Sequence, residues 1–275
     1  MTYSALIVQA GTDARACARL EAAVDLAVRF EATLIGVGAE TFPLAYASPE
    51  AAFIEGALIA EHRARIESGF GEARSIFERA SAGRVQAVEW RSAYERPAEV
   101  MAREARAADL VVASASGGRE DVYSHAAAAD LVMTAGRPVL VVPQEARALR
   151  GRSVLIGWKD AREARRAVTD ALPFLRLADE VGIVEVCDVR DQEAAFARTS
   201  DVARALERRG VKAHPHARLA SEASPAADLS RIADEHEADL LVVGAYGHSR
   251  LREWIFGGVT RSLLDQKERF VLMSH

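Results

Sequence analysis

Residues 107–112, AADLVV, return almost unchanged as EADLLV at residues 237–242. In both copies an aspartate precedes a run of aliphatic residues, which is typical of a buried strand in a parallel sheet. A second short repeat, SALI at residues 4–7 and SVLI at residues 153–156, begins a strand-like segment in each half. Self-similarity at a spacing of about 130 to 150 residues indicates duplication of a whole domain rather than a solenoid of small repeats.

Each half of the chain has five strand-like segments that alternate with helical periodicity. The predicted strands are Ser4–Val8, Ala32–Val37, Val85–Trp90, Leu110–Ala113 and Pro138–Val142, then Ser153–Gly157, Glu180–Val186, Val211–Arg218, Leu240–Val243 and Phe270–Met273. The predicted helices are Arg15–Phe30, Phe53–Ala80, Pro97–Ala107 and Ser124–Thr134, then Arg162–Leu175, Gln192–Arg209, Ala226–His236 and Val259–Asp265. This alternation predicts an α/β fold whose parallel sheet is covered on both faces.

The strand pattern breaks at the polar stretch Pro143–Arg152 and then restarts. We therefore predict two tandem domains, residues 1–146 and 151–275, each with the order β-α-β-α-β-α-β-α-β. Right-handed crossovers make each domain a doubly wound, Rossmann-like sheet of five parallel strands. Ligands of such sheets bind at the topological switch point, beyond the carboxyl ends of strands one and four.

Composition excludes several classes of partner. The chain has 275 residues, of which 50% are hydrophobic, and its formal net charge is −5, so bulk charge does not favour a nucleic-acid partner. The first apolar run, residues 5–8, is too short for a signal peptide or a membrane span, which predicts a cytoplasmic protein. Cys17 and Cys187 have no CxxC spacing and predict neither a metal site nor a disulfide.

A glycine motif follows the fourth strand of the second half. It comprises Gly244, Gly247, Gly257, Gly258, Val259 and Thr260. Glycines let a ligand approach the backbone closely, and free N–H groups at a helix start attract an anion. The Thr260 hydroxyl adds a donor in the first turn. The motif predicts a phosphate site, and the alternative is that the glycines only relieve packing at the sheet end.

This spacing resembles the signature of the universal stress protein family, Gly-x2-Gly-x9-Gly-[Ser/Thr]. The resemblance implies that Gly244, Gly247 and Gly257 hold the ribose and phosphates of ATP. The sequence departs from the signature at Gly258, where the family has a hydroxyl residue, while Thr260 matches a further hydroxyl position. The departure implies the loss of one phosphate contact.

The resemblance also implies where the adenine base would lie. The family meets the base with a residue just after strand one, commonly an aspartate, and Lys159 stands at or next to that position. Asp160 could serve one residue later, or Lys159 could meet a phosphate. Trp158 would pack either against the base or in the core, while Val186 and Val243 resemble the family's apolar walls.

The first half lacks an equivalent motif. The four glycine positions become Ser114, Gly117, Ala127 and Ala128. Alanine methyl groups crowd the backbone where a phosphate would lie. We predict that this domain is degenerate and does not bind nucleotide.

The resemblance implies a regulatory stress-response protein that binds ATP or a related adenine nucleotide, with any Mg²⁺ held through phosphate oxygens and water, and at most slow hydrolysis. It also implies that the fifth strands pair the halves as an intrachain pseudo-dimer; further pairing of two chains is left open. One alternative is a scaffold without nucleotide that acts through protein–protein contacts. Another is an adenine-nucleotide hydrolase or pyrophosphatase, but the Ser-Gly-Gly sequence at residues 116–118 follows strand four rather than strand one.

Overall fold

The computed structural model describes residues 2–41, 52–115, 122–145, 148–245, 258–265 and 268–275. The first half contains β1 (Ala5–Gln9), α1 (Ala14–Phe30), β2 (Thr33–Ala39), α2 (Ala52–Ser81), β3 (Val88–Ala93), α3 (Pro97–Glu104), β4 (Leu110–Ser114), α4 (Ala128–Thr134) and β5 (Val139–Val142). The second half contains β6 (Ser153–Gly157), α5 (Arg162–Asp170), α6 (Leu172–Leu175), β7 (Glu180–Cys187), α7 (Gln192–Glu207), β8 (His214–Leu219), α8 (Pro225–Glu235), β9 (Leu240–Gly244), α9 (Gly258–Leu264) and β10 (Phe270–Ser274).

All ten strands form one sheet in the order β3-β2-β1-β4-β5-β10-β9-β6-β7-β8. The strands within each half are parallel, and β5 and β10 pair antiparallel with Leu140 opposite Leu272. The structure therefore confirms the predicted fold, which is two tandem doubly wound units joined through their fifth strands. This pairing covers both strand edges, and β3 and β8 form the outer edges of the sheet.

The two faces of the sheet bury separate apolar layers. Helices α1, α2, α5, α6 and α7 cover one face, where Phe77 and Phe174 are among the largest buried side chains. Helices α3, α4, α8 and α9 cover the other face, where Met101 and Leu131 are buried. Among the described residues, no helix has both the length and the apolar character that a membrane span requires.

An aromatic cluster joins the two halves beside the central strand pair. Tyr3 and Phe30 meet Phe174 edge to face, with ring centroids 5.0 to 5.6 Å apart within the trio. The Tyr3 hydroxyl donates a 2.6 Å hydrogen bond to the carbonyl oxygen of Asp170 at the end of α5. Each such aromatic pair contributes roughly 0.5–1.5 kcal/mol beyond its buried area. The halves are therefore held by side chains as well as by the sheet.

The repeated aspartate has the same structural task in both halves. Asp109 accepts hydrogen bonds from the backbone nitrogens of Ser4 and Ala5, which lead into β1. Asp239 accepts them from the nitrogens of Gly151 and Arg152, which lead into β6. A carboxylate that holds two strand starts explains why this residue recurs in both copies.

The other repeat, SALI and SVLI, is one residue out of register in the structure. After β1, the Ala10 nitrogen donates to the Val37 carbonyl, and after β6 the Trp158 nitrogen makes the equivalent bond to the Val184 carbonyl. Ala10 therefore corresponds to Trp158. The residues preceding α1 and α5, Asp13 and Ala161, are N-caps and show the same offset. Consequently Gln9, not Val8, is the structural equivalent of Gly157.

Two predicted helices have wrong boundaries. The helix predicted over Arg162–Leu175 is split because Pro173 has no N–H with which to continue α5. The helix predicted from Ser124 begins at Ala128, because the Ser124 carbonyl accepts a hydrogen bond from the Gln9 side chain instead of from a helical N–H.

The third strand of each half also begins three residues later than predicted. The Val85 nitrogen donates to Ser81 at the end of α2, and the Val211 nitrogen donates to Leu206 near the end of α7. These two valines therefore complete the ends of helices rather than start strands.

Replacing Tyr3 with phenylalanine tests the joint between the halves. Burial, followed by the charges of Asp170 and Asp109, raises the pKa of Tyr3 well above its ordinary value. The stability from a neutral Tyr3 is therefore fully present below pH about 10 and is lost as the pH rises through the higher folded-state pKa. We expect Tyr3→Phe to lower the free energy of unfolding by about 1 kcal/mol at pH 7. The variant should also lose part of the decline in stability that the unmodified chain shows above pH about 10. Urea denaturation at both pH values measures these changes.

The exposed Tyr94 supplies the matched control, because Tyr94→Phe removes a hydroxyl outside this cluster. Equal effects of the two substitutions at both pH values would show that the Tyr3 hydroxyl does not stabilise the joint.

Candidate nucleotide site

Each half has one topological switch point. In the first half β1 lies between β2 and β4, and in the second half β6 lies between β7 and β9. We call the space beyond the carboxyl ends of β1 and β4 the N-terminal crevice, and that beyond β6 and β9 the C-terminal crevice. Loops and helix starts that follow these strands converge there.

The structure brings most of the predicted site residues to the C-terminal crevice. Those that it describes are Val243 and Gly244 at the end of β9, Gly258, Val259 and Thr260 in the first turn of α9, Trp158, Lys159 and Asp160 after β6, and Val186 near the end of β7. Gly247 and Gly257 lie outside the described residues. Thr260 is 7% exposed, and Val243 is 5% exposed.

Gly244 is required by its own neighbours. A Cβ atom built on Gly244 would lie 2.5 Å from the backbone nitrogen of Ala164 and 2.6 Å from the carbonyl carbon of Glu163. Both atoms belong to the first turn of α5, which therefore packs directly against the end of β9. This close approach explains Gly244 without any ligand.

The three residues after β6 have different environments. Trp158 is buried in the core on the α5 face, and its Nε1 atom has no hydrogen-bond partner among the residues that the structure describes. The Asp160 carboxylate accepts a hydrogen bond from Arg165 at 2.5 Å, which holds it against α5. Lys159 is exposed, and its carbonyl oxygen accepts a bond from the Ala161 nitrogen at 2.7 Å. Of the three residues, Trp158 is buried, whereas the side chains of Lys159 and Asp160 are both exposed at the strand end.

An apolar surface lies on the opposite face of the sheet. A Cβ atom on Gly157 would lie 3.0 Å from Val243 Cγ1 and 3.2 Å from Leu229 Cδ2. Val186, which is half-buried, packs against the same layer. Leu229 is on α8 and was not predicted, because nothing in its local sequence separates it from other core-facing leucines. Gly157 and Leu229 are half-buried, so this apolar surface is partly accessible at the strand end.

Acidic and basic side chains at the crevice pair with each other. Glu163, in the first turn of α5, is 2% exposed and accepts a 2.6 Å hydrogen bond from Arg162 Nε. Within the ranges that the structure describes, no group of His, Cys, Asp or Glu side chains could hold a metal ion.

His214 and His216 have the spacing of two metal ligands on one strand face, although surface histidines are the commoner explanation. In the structure the His216 ring packs against His236, with centroids 5.0 Å apart. Burial, followed by the neighbouring charges of His236, Arg218 and His214, lowers the pKa of His216. Both histidines lie on β8, away from either crevice.

Polar side chains fill the N-terminal crevice. Gln9 is 5% exposed, and its Nε2 donates to the Ser124 carbonyl at 2.7 Å while its Oε1 accepts from the Ala126 nitrogen at 2.9 Å. Arg19, also 5% exposed, donates to the Gln9 carbonyl at 2.7 Å and to Ser114 Oγ at 2.6 Å. None of these contacts follows from sequence motifs.

The degenerate positions predicted for the first half are partly described. Ser114 ends β4, Ala127 is the N-cap of α4 and Ala128 is its first residue, whereas Gly117 lies outside the described residues. Nearby, His125 contacts both Ser124 Oγ at 2.9 Å and Asp13 Oδ2 at 3.4 Å. Asp13 is the N-cap of α1, so this Ser-His-Asp set ties two loops together, and its serine is the histidine's own chain neighbour.

Comparisons with known proteins agree with this architecture. Residues 151–273 match the model of the universal stress protein family. A universal stress protein from Archaeoglobus fulgidus has a similar structure, and the match covers 98% of this chain and 95% of that protein's chain, with a TM-score of 0.64 and 15% sequence identity. The match to a functionally unknown protein from Pseudomonas aeruginosa covers 99% of this chain and 92% of that protein's chain, with a TM-score of 0.58 and 17% sequence identity. These structural likenesses show the fold, and no curated protein matches the chain in sequence.

Replacing Gly244 with alanine tests whether this glycine serves packing. The added methyl group would overlap the backbone of α5, so we expect the free energy of unfolding to fall by about 1–3 kcal/mol, with or without ATP. Urea denaturation measures the change.

Gly69→Ala is the matched control, because Gly69 lies in α2 with open space around it. There we expect a gain of up to about 1 kcal/mol from helix propensity. A Gly244→Ala protein as stable as the unmodified chain would mean that α5 does not need the glycine.

Proposed function

We propose that the chain, whose residues 151–273 match the model of the universal stress protein family, is a regulatory stress-response protein whose C-terminal half binds ATP or a related adenine nucleotide. The nucleotide lies in the C-terminal crevice and is not turned over by dedicated catalytic groups. The division into domains of residues 1–146 and 151–275 belongs to the same proposal.

The observation that supports the proposal is that an apolar surface and helix α9 belong to one apolar layer on the same face of the sheet. The apolar surface of Gly157, Val243 and Leu229 suits a base. Helix α9, which begins with Gly258 and buries Thr260 in its first turn, packs on the same face of the sheet. Glycine backbone and a hydroxyl group suit phosphate oxygens. A nucleotide has both chemistries in one molecule.

Lys159 and the acidic groups support binding rather than hydrolysis. The exposed Lys159 ammonium supplies a positive charge for a phosphate at the end of β6. Asp160 is bonded to Arg165, and Glu163 to Arg162, so neither carboxylate is positioned alone as a general base. Any Mg²⁺ would arrive with the nucleotide and be held through phosphate oxygens and water.

A second candidate function is a scaffold that acts through protein contacts without nucleotide. The environment of Gly244 favours it, because the backbone of α5 already explains that glycine. The burial of Trp158 in the core also removes one candidate for stacking on a base. The two functions differ in whether the purified chain carries or binds a nucleotide.

Mass spectrometry of the chain, purified without added ligand and kept native, separates the two functions. We expect retained ATP, ADP or AMP, or otherwise an increase in melting temperature with millimolar ATP and Mg²⁺. An empty chain whose melting temperature ATP does not change would support the scaffold.

Replacing Thr260 with valine tests the phosphate contact. The shapes of the two side chains are nearly equal, but valine cannot donate to an anion. Because a hydrogen bond to a charged group is worth roughly 1.5–3 kcal/mol, we expect ATP affinity to fall about tenfold or more in calorimetric titration.

Thr134→Val is the matched control, since Thr134 is on α4 and its hydroxyl donates to the Asp130 carbonyl. That substitution should leave ATP affinity unchanged. Equal affinity in the Thr260→Val protein would place the phosphates elsewhere.

A further inference from the structure

The two crevices differ at three corresponding positions. The strand and helix registers make β1, α1 and β4 equivalent to β6, α5 and β9. The corresponding residues are Gln9 and Gly157, Arg19 and Ala167, and Ser114 and Gly244. In each pair the first half has a polar side chain, and the second half has glycine or alanine.

Gln9 spans the N-terminal crevice. It is the last residue of β1, and both ends of its amide bond the segment that leads into α4, namely the Ser124 carbonyl and the Ala126 nitrogen. With only 5% of the residue exposed, the amide lies inside the crevice rather than over it. It also satisfies a backbone N–H that would otherwise be open to an acceptor from a ligand.

Arg19 closes the same crevice from the face of α1. Its guanidinium bonds the Gln9 carbonyl through two nitrogens, at 3.0 and 2.7 Å, and Ser114 Oγ at 2.6 Å. The carboxyl ends of β1 and β4 are thereby tied together. Among the described residues, these buried hydrogen bonds occupy the space between the two strand ends, and a ligand placed there would have to break them.

The C-terminal crevice has a different construction. On the α5 face, Ala167 is 1% exposed, and the first turn of α5 packs on Gly244, so helix backbone takes the place of the arginine. On the other face, Gly157 has no side chain, and its nearest neighbours are methyl groups of Val243 and Leu229. No polar group of β6 crosses towards α9 at this position.

We infer that Gln9 closes the N-terminal crevice from within the chain, and that Gly157 is the residue that leaves the C-terminal crevice accessible to an adenine nucleotide. The chain then has one ligand site and one internally occupied counterpart. The statement about Gly157 rests on the proposed function, whereas the closure by Gln9 does not.

Introducing glutamine at position 157 tests the role of Gly157. A side chain there would lie over the apolar surface and take the volume of the base, so we expect Gly157→Gln to weaken ATP binding at least tenfold. Gly157→Ala is the matched control, because it adds the crowded Cβ atom without the amide, and we expect no more than a threefold loss. Equal affinities of the two variants would overturn the role of Gly157.

Removing the amide of Gln9 tests the closure of the N-terminal crevice. In Gln9→Gly, and in Gln9→Ala should the glycine variant not fold, ATP can reach the Ala126 nitrogen. Hydrogen exchange of the peptide covering residues 122–134 is followed with and without 5 mM MgATP (a concentration on the order of millimolar, well above a typical nucleotide Kd). We expect ATP to slow this exchange at least threefold in the variant and not at all in the unmodified chain.

The outcomes separate the two ideas. Slower exchange with ATP in the unmodified peptide, or no effect of ATP in either Gln9 variant, would overturn closure by Gln9. If the unmodified chain binds no ATP while a Gln9 variant gains ATP-dependent protection over residues 122–134, the proposed function of the C-terminal half fails and the closure stands.

Discussion

The antiparallel pairing of β5 with β10 is the contact on which the rest of the structure depends. Three consecutive pairs of apolar residues, centred on Leu140 and Leu272, join two five-stranded sheets into one. Without it each half would end in an open, fully apolar edge strand, which is prone to aggregation. The aromatic cluster of Tyr3, Phe30 and Phe174 buries further apolar surface beside this joint.

The joint places two switch points of the same topology in one rigid sheet, where they have diverged in side-chain size. Gln9 and Arg19 make one crevice a buried hydrogen-bond network. Gly157 and Ala167 give the other an apolar surface and a closely packed helix. A buried polar network is stable only when every member is hydrogen-bonded. The N-terminal crevice is therefore occupied by side chains that bond each other. The C-terminal crevice has no such network of its own side chains at the corresponding positions and can accept a ligand there.

Much of the fold could be predicted because its elements are long and periodic. All ten strands were predicted in the right order, and the Ala-Asp-Leu repeat marks equivalent positions before β4 and β9. The start of α4 was missed because a distant side chain decides it. Helix α4 begins at Ala128 because Gln9, more than a hundred residues earlier, bonds the segment before it. No local propensity records such a contact.

The sequence by itself determined the two-fold α/β architecture and the position of the glycine motif, because hydrophobic periodicity and glycine content are local properties of the chain. Only the tertiary structure decided that Gly244 accommodates the backbone of α5, that Asp160 is held by Arg165, and that Leu229 and Gly157 share one apolar surface. It also corrected the register of the SALI and SVLI repeat, which makes Gln9 the equivalent of Gly157. The physical reason is that packing distances and hydrogen-bond partners join residues remote in sequence, and such pairs leave no pattern within either segment.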